Sequence, residues 1–204
     1  MRIIYLVKNF SDGDELSEYV KSLAEYAASQ GHDPCVVSFD DGSNYTVSDD
    51  VEVERFPLHF DGDYLYTWAM MMNNEMKGKV IEKMKDEEID IIHANDWITA
   101  PGAVNLSEHL EKPLCLTIHS TENQRGFQGE NSDLISDLEW EGTFEADKVF
   151  ANNDDVKNSL LFDLNMSDKE VCVADPLQEG WQDKIMKTYR EILRKEEEVE
   201  VKHT

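Results

Sequence analysis

Basic residues are scarce in this chain. Nineteen Lys and Arg stand against 44 Asp and Glu in 204 residues, a formal charge of −25. With no basic stripe to release counterions, the expectation is no binding to nucleic acid and none to an anionic membrane surface. Cysteine is rarer still. Cys35, Cys115 and Cys172 are odd in number, each lies within or beside an apolar run, and none has CxxC spacing. They read as buried thiols packed as small hydrophobes, with no metal site and no disulfide framework. No apolar run is long enough to span a bilayer, and Met1–Val7 is too short for the apolar region of a signal peptide. The localisation expected is therefore cytoplasmic, and the Asn-X-Ser/Thr triplets at Asn44, Asn105 and Asn165 are chance matches.

Nucleotide fingerprints are missing as well. After the first apolar run stands Lys8-Asn9-Phe10-Ser11-Asp12-Gly13-Asp14-Glu15, one glycine among three acids where a dinucleotide site offers G-x-G-x-x-G. Acidic side chains at a helix amino terminus occupy its positive end and repel a pyrophosphate, so a bound nicotinamide or flavin is not expected and no cofactor is assigned. No P-loop, G-x-S-x-G or H-E-x-x-H occurs, which leaves Walker-type phosphoryl transfer, a hydrolase elbow and zinc proteolysis without residue support. The acidity itself has two readings. It is either a plain solubility surface or an adaptation to a saline cytoplasm, where a Debye length of about 3 Å at 1 M suppresses self-repulsion.

What is present is a regular alternation of strand and helix. A hydrophobic fraction of 40% is ordinary for a folded protein, and the length fits one core. Arg2–Val7, Pro34–Phe39, Val51–Leu58, Asp90–His93, Leu114–Ile118, Lys148–Ala151 and Glu170–Val173 read as strands. Between them Glu15–Gln30, Tyr64–Glu88 (one long helix or two), Thr99–Leu110, Ser132–Glu145 and Asp154–Asp163 carry helical periodicity. The helix at 64–88 places Leu65, Trp68, Met72, Met76, Val80, Ile81 and Met84 on the core, with the Met-rich part as filler. Right-handed crossovers then require a doubly wound, mostly parallel α/β sheet with helices on both faces. A last helix over Trp181–Leu193 has Trp181, Ile185, Tyr189 and Ile192 on one face as a docking stripe, and the Glu196-Glu197-Glu198 run is a solvated end. The division expected is 1–174 as a Rossmann-like domain and 175–204 as linker, returning helix and acidic tail.

Two strand ends concentrate chemistry. Asp90-Ile91-Ile92-His93-Ala94-Asn95-Asp96-Trp97 and Pro113-Leu114-Cys115-Leu116-Thr117-Ile118-His119-Ser120-Thr121-Glu122 are short apolar runs that stop in polar residues. If the strands are neighbours, Asp96 and His119 open onto one cleft, where open α/β sheets bind ligands. Taken alone, each residue has a plainer role open to it: Asp96 as cap of the helix beginning near Ile98, His119 as a satisfied structural histidine. Glu139 and Trp140, on a helix, read as packing and surface and not as ligand contacts.

The ordered series His93-Ala94-Asn95-Asp96-Trp97, Thr117-Ile118-His119-Ser120-Thr121-Glu122-Asn123-Gln124-Arg125, Ile135-Ser136-Asp137-Leu138-Glu139-Trp140 and Ala146-Asp147-Lys148-Val149 resembles the amino-terminal half of glycogen/starch synthase-like glycosyltransferases. These are retaining enzymes of the two-domain GT-B architecture. The likeness covers Met1 to about Val173, Gly31-His32 and Leu65–Asn73 included. It implies that Asp96 accepts hydrogen bonds from sugar hydroxyls and that His119 lies against the transferred sugar as the catalytic residue. It also implies that Asn95, Glu122 and Arg125 belong to the substrate-binding cleft, Asn95 standing where His is common in the family. Lys8 and Gly13 fall on its donor-diphosphate loop, reduced here from two glycines to one. ADP-glucose or UDP-glucose would be the donor substrate and a glucan or other glycan the acceptor.

The family's second, donor-binding domain would follow Val173. Here Asp175–Gly180 leads straight into Trp181, as though that domain were removed between about Ala174 and Trp181. The expectation is therefore the acceptor-binding half of a hexosyltransferase, inactive alone. The alternatives are one chain of a split enzyme, with a separate donor-domain protein as partner, and a non-catalytic interaction module.

Overall fold

A computed structural model describes residues 1–60, 62, 64–83 and 87–203. In chain order its elements are β1 (Arg2–Asn9), α1 (Glu15–Ser29), β2 (Asp33–Phe39), β3 (Glu52–Phe56), α2 (Leu65–Lys83), β4 (Ile91–Asn95) and α3 (Ala100–Leu110). There follow β5 (Leu114–Ile118), α4 (Glu122–Arg125), α5 (Ser132–Glu145), β6 (Lys148–Ala151), α6 (Asp154–Phe162), β7 (Val171–Val173) and α7 (Trp181–His203). The strands form one sheet in the order β3-β2-β1-β4-β5-β6-β7, and every neighbouring pair is parallel. The sheet is thus wholly parallel, not merely mostly so.

Parallel strands covered on both faces must be apolar on both, which is why β4 and β5 are buried at every position. Ile4, Leu6, Ile92, Ala94, Leu116 and Val149 face the side covered by α2, α3 and α6, where Met72, Met76 and Val80 fill the layer. Alternate residues Ile3, Tyr5, Val7, Ile91, Cys115 and Phe150 face α1 and α7. Met84, expected on α2, lies outside the described residues. Gly142 lets α5 approach α3: a Cβ there would stand 2.6 Å from that of Ala100.

Helix α7 docks as its stripe requires. Trp181, Ile185, Tyr189 and Ile192 are all buried against the β1/β4 face, at roughly 25 cal/mol for each Å² of apolar area covered. The helix runs on past Leu193 to His203. One element was not foreseen. Thr121 and Gln124 form a reciprocal capping box that starts the single turn α4, closed by Gly126 at φ +83°.

Strand order reverses between β1 and β4, and in such sheets the crevice lies beyond the carboxyl ends at that point. The β1–α1 loop, Asp96 and His119 surround it.

Candidate functional site

Asp96 follows β4 with φ +63°, in the left-handed region that Asp adopts more readily than bulkier residues. Its N–H donates to the carbonyl of Thr117 at 2.8 Å, and its Oδ1 accepts from the backbone N–H of His119 at 2.9 Å. The carboxylate therefore bolts the end of β4 to the end of β5. Asp96 is not the cap of α3: Thr99 occupies that position and makes no side-chain cap bond.

The His119 ring stands edge-on to Tyr19, with centroids 4.7 Å apart at 89°, and Tyr19 stacks on Trp181 at 4.6 Å and 25°. Burial lowers the imidazole pKa, against Asp96 and Asp14, whose charges raise it. Its Nε2 is buried and has no hydrogen-bond partner. Since buried polar atoms are nearly always paired, this one needs an explanation.

Behind that stack runs a buried polar chain. His93 Nδ1 bonds the Tyr189 hydroxyl, and Nε2 bonds Thr117 Oγ1 at 2.7 Å; Tyr19 OH reaches the same Thr117 hydroxyl at 3.5 Å. Burial pushes the His93 pKa down to about 3. A neutral ring, donating from one nitrogen and accepting at the other, satisfies both hydroxyls. The chain ties α7, across one face of the sheet, to the residue that packs on His119.

Glu122 and Arg125 meet on α4 together with Glu139 of α5. Arg125 Nε donates to Glu122 Oε2 at 2.9 Å, Nη2 to Glu139 Oε1 at 2.6 Å, and Nη1 to the Ser120 carbonyl and hydroxyl at 2.7 Å each. The Glu122 N–H donates to Glu139 Oε2 at 2.8 Å. Burial alone would raise the Glu122 pKa, but hydrogen bonds from Ser132 and Arg125 hold it below the usual carboxylate range. Burial keeps Glu139 above that range. Glu139 is 1% exposed, so the reading of this residue as packing and surface gives way to a buried carboxylate clamping the α4 loop. Arg125 spends its charge on two carboxylates and offers little to a diphosphate.

Asn95 is inaccessible. Its Nδ2 donates to the Leu6 carbonyl at 3.1 Å, and its backbone is pinned by the Thr99 hydroxyl. As folded it fixes β4 against β1 and does not line the open cleft. Lys8 holds its ammonium 5.7 Å from the Trp68 ring centroid, while Gly13 turns the β1–α1 loop at φ +82°. Two of the loop's carboxylates are already engaged by neighbouring segments. Asp12 accepts from Thr46 N–H and hydroxyl at 2.8 and 3.0 Å, and Asp14 from Ser17 N–H and hydroxyl at 2.8 and 2.7 Å. Beside it a cavity of about 340 Å³ is lined by Gly13, Glu15, Glu18, Tyr19, Pro176 and Trp181 among others. The crevice thus offers acceptors and aromatic area. Among the described residues no group of three or more His, Cys, Asp or Glu could hold a metal ion, and no helix is long and apolar enough to cross a membrane.

A sequence profile of glycosyltransferase family 4 matches residues 16–175. The chain belongs to this family. An uncharacterised glycosyltransferase of Methanocaldococcus jannaschii is 30% identical over 162 residues, 78% of this chain and 41% of that relative. Glycogen synthase of Mycobacterium tuberculosis is 29% identical over 127 residues, 54% of this chain and 31% of that one. The chain thus spans well under half the length of the curated relatives it matches. Sucrose-phosphate synthase from Thermosynechococcus elongatus superposes with TM-score 0.70 at 13% identity, covering 85% of this chain and 47% of that one. A second structure of that synthase, designated by the numbers 27, 220, 406 and 426, gives 0.68 at 15% identity, covering 94% and 99%. At these identities the structures speak for the GT-B fold.

Within this glycosyltransferase domain the structure joins Asp96 to His119 and Glu122 to Arg125, and leaves Lys8 and Gly13 apart on separate walls. Sequence reasoning missed Tyr19, Thr117, His93 and Glu139. Tyr19 was visible only as one apolar residue of an amphipathic stripe. The signal for Glu139 was a carboxylate placed beside Leu138 on a helix that must bury one face.

Proposed function

We propose that this glycosyltransferase-family domain is the sugar- and acceptor-binding half of an enzyme that transfers a hexosyl group from a sugar nucleotide to a glucan or other glycan, and that it lacks transferase activity alone. The observation carrying this reading is the union of Asp96 and His119 at the switch point, with one carboxylate oxygen engaged by the His119 N–H and the buried His119 Nε2 unpaired. A sugar hydroxyl donates to the second Asp96 oxygen as folded, whereas the buried His119 Nε2 is reached only when the ring turns toward the crevice. Anionic ligands are served poorly, because Arg125 is spent and Asp14 caps the amino terminus of α1, with Glu15 and Glu18 on its first turn.

Residues 174–180 join β7 directly to α7, which packs on the first domain where a returning terminal helix would. The second synthase structure has the same extent: this chain covers 99% of it. Stabilising a leaving diphosphate takes a cationic clamp, which is where most of the rate would come from, and in this crevice Arg125 is already paired with Glu122 and Glu139. Half a cleft also encloses little of a ligand, whereas good sites bury roughly 70–90% of it.

The test uses the purified chain with maltoheptaose and radiolabelled ADP- or UDP-glucose. Weak maltoheptaose binding that Asp96→Ala abolishes, with no transfer of label, is the expected result. Robust transfer by the lone chain overturns it, and transfer only on adding another protein identifies a split enzyme. A second reading, a non-catalytic interaction module, is favoured by the closed Asp12/Asp14 loop and predicts no sugar binding at all.

A further inference from the structure

Trp140 and Phe144 stand one turn apart on α5, with 52% and 69% of their surfaces exposed. Their rings are stacked, centroids 5.3 Å apart and planes within 15°. Large aromatics are costly to leave in water, and a contiguous exposed pair marks a binding surface more often than chance. The pair forms one wall of a cavity of about 450 Å³, completed by Asp147, Asn165, Met166 and Glu170 among others. That volume lies within the range of small-molecule sites.

The position separates it from the crevice. Asp147 precedes β6 and Glu170 precedes β7, whereas Asp96 and His119 follow β4 and β5. In a wholly parallel sheet these are opposite edges.

The lining decides the occupant. Among the residues bounding this cavity there is no Lys, Arg or His; Lys148, Lys169 and Lys184 line a neighbouring cavity that shares Asp147 and Glu170, so beside the aromatic pair an anion meets carboxylates and no cation. An apolar protein face would strip water from two carboxylates without replacing it, at a cost of several kcal/mol each in a dry interface. Each carboxylate has capacity to spare: Asp147 Oδ2 accepts from the Leu114 N–H at 2.9 Å and Glu170 Oε2 from the Ser167 N–H at 3.1 Å, so each has a second oxygen to offer. Asn165 adds an exposed amide. A neutral polyol matches this set. Its hydroxyls donate to the carboxylates, and the C–H face of a pyranose ring, slightly positive, lies on the negative face of the indole.

We infer that Trp140, Phe144, Asp147, Asn165 and Glu170 form a second carbohydrate site, on the sheet edge opposite the Asp96–His119 crevice, which holds a neutral glycan chain. That the glycan is an α-glucan rests on the acceptor assigned above. A polymer held at this edge raises the effective concentration of its own chain ends at the crevice, with no change in the crevice itself.

Maltoheptaose titrated into the 15N-labelled chain reads the two sites separately. The Trp140 indole N–H and the Asn165 side-chain amide report this site, the backbone amides of Asp96 and His119 the crevice. Progressive shifts at Trp140 and Asn165 are expected, persisting in Asp96→Ala and weakened about tenfold or more in Trp140→Ala, the loss of one aromatic platform. Trp140→Gln, which keeps helix propensity, guards against misfolding, checked by circular dichroism. Shifts confined to Asp96 and His119 overturn the second site and keep the acceptor reading; shifts confined to Trp140 and Asn165 keep the second site and overturn that reading. Silence at all four overturns both. Self-association that Trp140→Ala abolishes, without sugar shifts, makes the face a contact between copies and overturns the inference.

Discussion

Lowering the pH should unlock α7 through a single buried imidazole. His93 is inaccessible, pinned between the Tyr189 hydroxyl of α7 and Thr117 of β5, and its folded pKa is pushed down to about 3 from an ordinary 6.5. The sign follows from which state holds the proton. Between those two values the unfolded chain is protonated at this position and the folded one is not, so stability is complete above about pH 6.5 and falls as pH drops. The limiting slope is ~1.4 kcal/mol per pH unit, and lowering the pH from 6.5 to 4.5 removes roughly 2 kcal/mol through His93 alone, a large share of a typical total of about 5–15 kcal/mol. Urea denaturation followed by tryptophan fluorescence at half-unit pH steps measures it. Neutralising surplus carboxylates works in the opposite sense at the acid end, so the diagnostic is a difference: His93→Gln should lose a dependence approaching ~1.4 kcal/mol per pH unit between pH 6.5 and 4.5 while the rest of the profile is shared. Equal slopes in the two proteins, or an imidazole resonance of folded His93 titrating near pH 6.5, would refute the reasoning.

Two further outcomes follow from the charge distribution. Arg125→Met leaves Glu122 and Glu139 as buried carboxylates without a counter-ion and should cost ~3 kcal/mol in urea denaturation; a loss under about 1 kcal/mol would mean that solvent already screens the triad. With 44 acidic residues against 19 basic, the melting temperature should rise by several degrees between low salt and molar KCl as the screening length shrinks to about 3 Å. No change would leave solubility as the better account of the acidity.

The sheet was legible because its signals are local. Each buried parallel strand announces itself as an unbroken apolar run, and the helices between them by their spacing, so seven strands and the docking face of α7 could be placed before any coordinates. Boundaries moved where tertiary pairing overrode composition: β1 continues through Lys8 and Asn9 because β2 supplies partners that far, and β3 contracts to Glu52–Phe56. The turn α4 escaped notice since a capping box followed by only four helical residues has no period to read. Side-chain partnerships were the least legible layer. That Asp96 would spend one oxygen on the His119 N–H, or that Glu139 would reach back to Arg125, depends on how β4, β5 and α5 lie in space, which no spacing rule encodes.

These partnerships argue that the crevice is divided by charge as well as by shape. On the β4–β5 side, Asp96, neutral His119 and the Tyr19–Trp181 stack present hydrogen-bond acceptors and aromatic area, chemistry suited to sugars. On the β1–α1 side, where a nucleotide diphosphate would need backbone N–H groups and a positive helix end, Asp14 has taken the Ser17 N–H and Asp12 has tied the loop to Thr46. Opening that loop would expose two carboxylates to a phosphate at close range, which costs more than the lost hydrogen bonds alone. If this domain is the acceptor half proposed above, a donor would therefore have to be held almost entirely by residues outside this crevice wall.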